Sequence, residues 1–178
     1  MADQVALPNP RALYTQLREC SSAQARAEAA LEFVRGCTSS EGGCLFLMRG
    51  GQLALAANSN GVEATPELLQ EASRTWDREL DRHPEDNKTE TLELSTIAAL
   101  HAAAQESPVW RSSNSEAFER RLLSVYRGPN WLPVGLVMLR AREGRALVPI
   151  RQVHIEALCN ALLDAGDVQE RSAGAQTR

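Results

Sequence analysis

The order of apolar and polar positions divides the chain into a small set of elements. From Asn9-Pro10 onward, Leu13, Leu17, Cys20, Gln24, Ala27, Leu31 and Val34 recur at intervals of four and three, the spacing of one helix face. Asn caps helices well and Pro suits the first helical position. One long helix is therefore predicted over 10–35, ended by Gly36, with Ser21-Ser22 as the point where it could divide. The apolar run Cys44–Arg49 lies between Gly42-Gly43 and Gly50-Gly51, and Gln52–Asn58 follows with Leu53, Leu55 and Ala57 at period two. Two short runs joined by a diglycine predict a β-hairpin over 44–58.

Thr65-Pro66-Glu67 supplies an N-cap, a first-turn proline and a first-turn acid. A helix is predicted over 66–81, with Leu68, Leu69, Ala72, Trp76 and Leu80 as its inner stripe. The polar run 83–90 reads as a loop. A short strand over 91–94 and a short helix over 96–105, with Ile97, Leu100, His101 and Ala104 inward, come next. Strands are predicted over 116–126 and 132–140, separated by the turn residues Gly128-Pro129-Asn130. Pro149 opens a final helix over 150–165, and a polar tail runs from 167 to 178. This order lacks strict strand–helix alternation. It predicts one α+β domain: a central, mostly antiparallel sheet with the long N-terminal helix and the C-terminal helix packed on it.

Composition narrows the function classes. The 178 residues contain 43 % apolar and only 4 % aromatic side chains, with a net charge of −4. That is enough for a core but offers neither a stacking surface nor the basic patch that nucleic acid requires, so no nucleic-acid partner is expected. No apolar run approaches the roughly 20 residues of a membrane span. The N-terminus shows no charged stretch followed by an apolar one, so a cytoplasmic protein is expected. The four cysteines, Cys20, Cys37, Cys44 and Cys159, have no CxxC spacing and read as reduced thiols.

The late succession of polar turn, Pro133-Val-Gly-Leu-Val-Met-Leu strand, polar turn and Pro149-led helix resembles a GAF domain, the small-molecule-sensing relative of PAS. The long first helix, the Gly43-Cys-Leu-Phe-Leu-Met hairpin and the strand around Leu122-Leu-Ser-Val extend the likeness over residues 10–165. Similar regions occur at the ends of bacterial signalling kinases. The resemblance implies a cavity between sheet and helices, with Phe46, Trp76 and His101 as candidate ligand contacts. At residue level the chain departs from the ligand-specific signatures of that family. Asn87-Lys88 stands without the rest of the cyclic-nucleotide pattern, and no cysteine is followed by the histidine of bilin-binding members.

Catalytic motifs are sparse. The histidines, His83, His101 and His154, have no metal-ligand spacing, so no metal and no cofactor are expected. There is no GxSxG, GxGxxG or GxxxxGK[ST]. Cys37 and Cys44 form the one thiol pair worth weighing, since some thiol reductases have a GAF-like fold. However, Cys37 is placed after a helix C-terminus, which disfavours a thiolate. The expectation is therefore a non-enzymatic regulatory module that binds a partner protein and a small ligand. The alternatives are a thiol oxidoreductase on the same fold and a roadblock/longin-type scaffold. A helix of about 26 residues spans about 39 Å, more than one small sheet can cover. Its stripe is therefore expected to form a homodimer seam through Leu13, Leu17 and Leu31.

Overall fold

The computed structural model describes residues 7–59, 61–82, 111–112 and 118–168. The expected strand over 91–94 and the helix over 96–105, with His101, lie outside the described residues, as do His83 and Trp110.

The N-terminal heptad stripe belongs to two helices, not one. Helix α1 (Pro10–Arg18) is capped by Asn9, whose side chain accepts from Ala12 N at 2.8 Å. The chain breaks at Ser21-Ser22. Ser22 takes an extended conformation, and its hydroxyl accepts from Ala25 N to start α2 (Ala23–Thr38). A side-chain oxygen on the backbone competes with helix continuation, which is why the Ser pair ends one helix and begins another. Gly36 does not end α2. The helix runs on to Thr38 and is capped by Ser39 in the left-handed region at φ 58°. Cys37 therefore lies inside its last turn.

Strand β1 (Gly42–Arg49) turns through Gly50-Gly51, both at positive φ, into β2 (Gln52–Asn58). The pairing is antiparallel but slips between Leu45 and Phe46. Ala56 is the extra residue, and this bulge moves Ala57 to the opposite face from Leu53 and Leu55. The expected single face of Leu53, Leu55 and Ala57 is thereby corrected. Helix α3 (Pro66–Arg82) follows, and beyond it come β3 (Arg111–Ser112), β4 (Phe118–Arg127), β5 (Asn130–Arg140) and α4 (Gln152–Asp164). The five strands form one antiparallel sheet in the order β2-β1-β5-β4-β3, which bears out the expected α+β class.

Adjacent residues on a strand point to opposite faces, and two arginines show which helix covers which. Arg120 pairs with Glu71 of α3, whereas Arg121 donates to the Ile150 carbonyl just before α4 at 3.4 Å. So α3 lies on one face and α4 on the other. Helix α2 sits beside α4: Phe33 meets the His154 ring at 5.7 Å and Arg26 pairs with Asp167 at 3.2 Å. Helix α1 packs against α4. Two polar ties hold that contact: Tyr14 donates to Asp164 at 2.7 Å, and His154 Nε2 lies 2.9 Å from the Pro8 carbonyl. β1 and the centre of β5 are buried along nearly their whole length, as strands covered on both faces must be.

The helix faces differ in detail from the expected ones. On α3, Leu68, Ala72 and Trp76 are buried, but Leu69 is exposed. On α4, Val153 is half exposed and His154 turns in. Leu13, Leu17 and Leu31 are 1 %, 1 % and 2 % exposed within a single chain. Because the break lets both short helices fold back on the core, the stripe expected as a dimer seam is the chain's own interior, and Gln24 is left outside bonded to Glu28. Among the described residues no helix is long and apolar enough to cross a membrane.

Candidate functional site

Of the residues expected to contact a ligand, Phe46 and Trp76 fall in the same layer, between the sheet and α3. Phe46 is cross-strand from Leu136, which in turn pairs with Leu122. Leu122 shares the face of Arg120, the face that α3 covers. Phe46, Leu136 and Met138 are all at or below 1 % exposure, and Trp76 is buried on α3. This layer is filled by its own side chains at Phe46. It joins two of the three expected residues without opening to solvent beside them.

A depression lies at the end of that layer. It is an open groove of about 880 Å³ where the β2–α3 loop, the start of α3 and the end of β5 converge. Val62, Leu68 and Phe118 line it with apolar surface, and Asn58, Ser59, Glu63, Thr65, Glu67, Glu71 and Arg140 line it with polar groups. The loop is built by side chains replacing missing backbone partners. The Ser59 hydroxyl accepts from Gly43 N at 2.7 Å, Asn58 donates to the Val62 carbonyl at 2.9 Å, and the Thr65 hydroxyl accepts from Leu68 N at 3.3 Å. These fix the turn and cap α3, so the groove is bounded by ordered backbone.

Two arginines set its electrostatics. Among the described residues, the Arg140 side chain makes two long contacts, 3.5 Å to Glu41 and 3.5 Å to the Gly61 carbonyl. Arg120 is 8 % exposed and anchored by Glu71 on the groove wall, and its Nε has no hydrogen-bond partner. Burial lowers the Arg120 pKa and, on the preceding residue, raises that of Glu119. Glu71 is the counter-charge of the buried Arg120 guanidinium, whereas Arg140 lines the groove. Neither arginine was singled out by motif. The one signal available was the adjacency of Arg120 and Arg121 in a strand, which forces one guanidinium towards each covered face.

Cys37, Cys44 and Cys159 are buried, and Cys20 is half-buried. Burial pushes Cys37 and Cys44 up to about 11, and raises Cys159 further still. A nucleophilic or redox cysteine needs the opposite, a stabilised and accessible thiolate. Among the described residues, no group of three or more His, Cys, Asp or Glu is arranged to hold a metal ion.

No protein-family model matches the chain. No curated protein is significantly similar to it.

Proposed function

We propose that the chain is a non-catalytic regulatory module of GAF-like organisation that binds a protein partner at the groove between the β2–α3 loop and Arg140. The observation that carries this reading is the contrast between a filled interior at Phe46 and an open groove beside it whose lining mixes Val62, Leu68 and Phe118 with charged side chains. Small-molecule sites enclose most of their ligand, whereas an apolar centre with a polar rim is the anatomy of a protein interface. Glu71 is already paired with Arg120, and the exposed Glu63 and Glu67 fit a partner segment that is apolar with basic flanks. The ties of Tyr14 and His154 between α1 and α4 support a relay through the two terminal helices, because a shift of one drags the other. The buried, protonated thiols weigh against the oxidoreductase reading.

The test is a photo-crosslinking residue at position 67 in the native host, with position 16 on the outer face of α1 as control. The expected result is a single product specific to position 67 that disappears with Glu63→Lys/Arg140→Glu. Equal products from both positions, or none from position 67, refute the reading.

A further inference from the structure

We propose that β2 is a self-association edge. Two copies of the chain pair their 53–55 segments antiparallel about a two-fold axis at Ala54, joining two sheets into one. The inference does not depend on the groove.

An edge strand turns a row of unpaired N–H and C=O groups outward, and proteins blunt such edges with short length, charge or proline. β2 is seven residues long, Gln52-Leu-Ala-Leu-Ala-Ala-Asn58, with no charge and no proline. Among the described residues no strand lies on its outer side. Its one irregularity, the bulge at Ala56, leaves 52–55 regular.

The sequence of that stretch selects the occupant. With the axis at Ala54, Leu53 of each copy stands opposite Leu55 of the other. Leu53 and Leu55 share a face, and both keep part of their surface exposed in the single chain. The pairing gathers four leucines and covers that remaining area. Ala54 meets Ala54 on the other face, small enough for close approach, and no like charges are opposed. A two-fold contact uses the same patch twice and closes on itself, so a dimer results and not a fibre.

Sedimentation across a concentration series tests this, with Ala54→Lys and Ala54→Glu as variants. Position 54 is half exposed, so a long polar side chain has a route to water. The wild type is expected to pass from monomer to dimer. Each variant alone should weaken association by roughly tenfold or more, because like charges meet on the axis. An equal mixture of the two should recover it. A wild type that stays monomeric throughout overturns the proposal and leaves the edge to a strand from a different protein. A dimer that survives both substitutions overturns it too. If a variant fails to fold, amide exchange of the wild type decides. The outward amides of Leu53 and Leu55 should gain protection as concentration rises, and exchange independent of concentration there is the contrary result.

Discussion

At Gly135 the backbone of β1 comes so close that a Cβ would collide with the Phe46 carbonyl oxygen. A rigid backbone atom cannot give way as a side-chain tip can. Gly135→Ala is therefore expected to lower stability by about 1–3 kcal/mol, the cost of overpacking a dense core, read from the urea midpoint. Pro133-Val-Gly had marked this stretch as a strand, but the sequence did not show that the glycine serves β1. The buried Arg120 makes a second case. Removing Glu71 leaves an uncompensated cation, which costs about 3–5 kcal/mol when fully buried. The figure should fall below that here, because the Glu71 side chain is 34 % exposed and water can follow it out. Arg120→Met/Glu71→Met should recover most of the loss in chemical denaturation, since a matched apolar pair leaves no orphan charge. The thiols add a pH signature. Cys37 and Cys44 hold their protons more tightly folded than unfolded, at about 11 against an ordinary 9.0. Their contribution to stability is thus complete below pH 9.0 and is lost as pH rises through 11. Unfolding free energies over that range should slope downward, and Cys37→Ala/Cys44→Ala should flatten part of the slope.

Among the elements, periodicity located what lay on one face and failed where local hydrogen bonding intervened. The hairpin, β4, β5 and α3 were legible because apolar runs, diglycine and N1 proline act within a few residues. The division of the first helix depends on the Ser22 hydroxyl outcompeting the helix, a choice that spacing alone does not settle. The groove was not legible at all. It is made by residues 58–71 meeting Phe118 and Arg140, a juxtaposition fixed by strand order. The same holds for the clasp of α1, β4 and α4. Asp164 accepts from Tyr14 at 2.7 Å and pairs with Arg127 at 2.6 Å, and Arg127 also reaches Asn160 at 3.2 Å. The Tyr14 hydrogen bond, followed by Arg127, holds the Asp164 carboxyl below its ordinary 3.8. Its stabilising contribution is therefore present above that value and fades as pH falls through the lower folded one. Asp164→Asn should raise amide exchange in α1 while leaving β1 unchanged, and acid should have the same effect on the wild type. Exchange that rises equally in α1 and β1 would show that the clasp is not local.

On the scale of the whole molecule, the placement of Leu13 and Leu17 separates folding from assembly. Both belong to α1, both are 1 % exposed, and both join the one continuous core that Leu31, Phe46 and Leu158 share. Had α1 and α2 been one straight rod, half of that stripe would have pointed past the sheet and needed a second copy. The turn at Ser21-Ser22 brings it home instead, so assembly must use a surface that the core does not consume. Leu13→Glu/Leu17→Glu places two carboxylates where no partner waits. A buried unpaired charge is among the few changes that cost more than about 4–5 kcal/mol, against a total stability of about 5–15 kcal/mol for a typical domain. The double variant is therefore expected to lose its cooperative thermal transition, with near-ultraviolet circular dichroism collapsing at neutral pH. Ala54→Lys, on the outer strand, should keep both signals and change only the sedimentation behaviour. A double variant that melts normally and merely dissociates would return the stripe to the role of a seam between copies. It would also mean that α1 is held to α4 by its polar ties alone, not by Leu13 and Leu17.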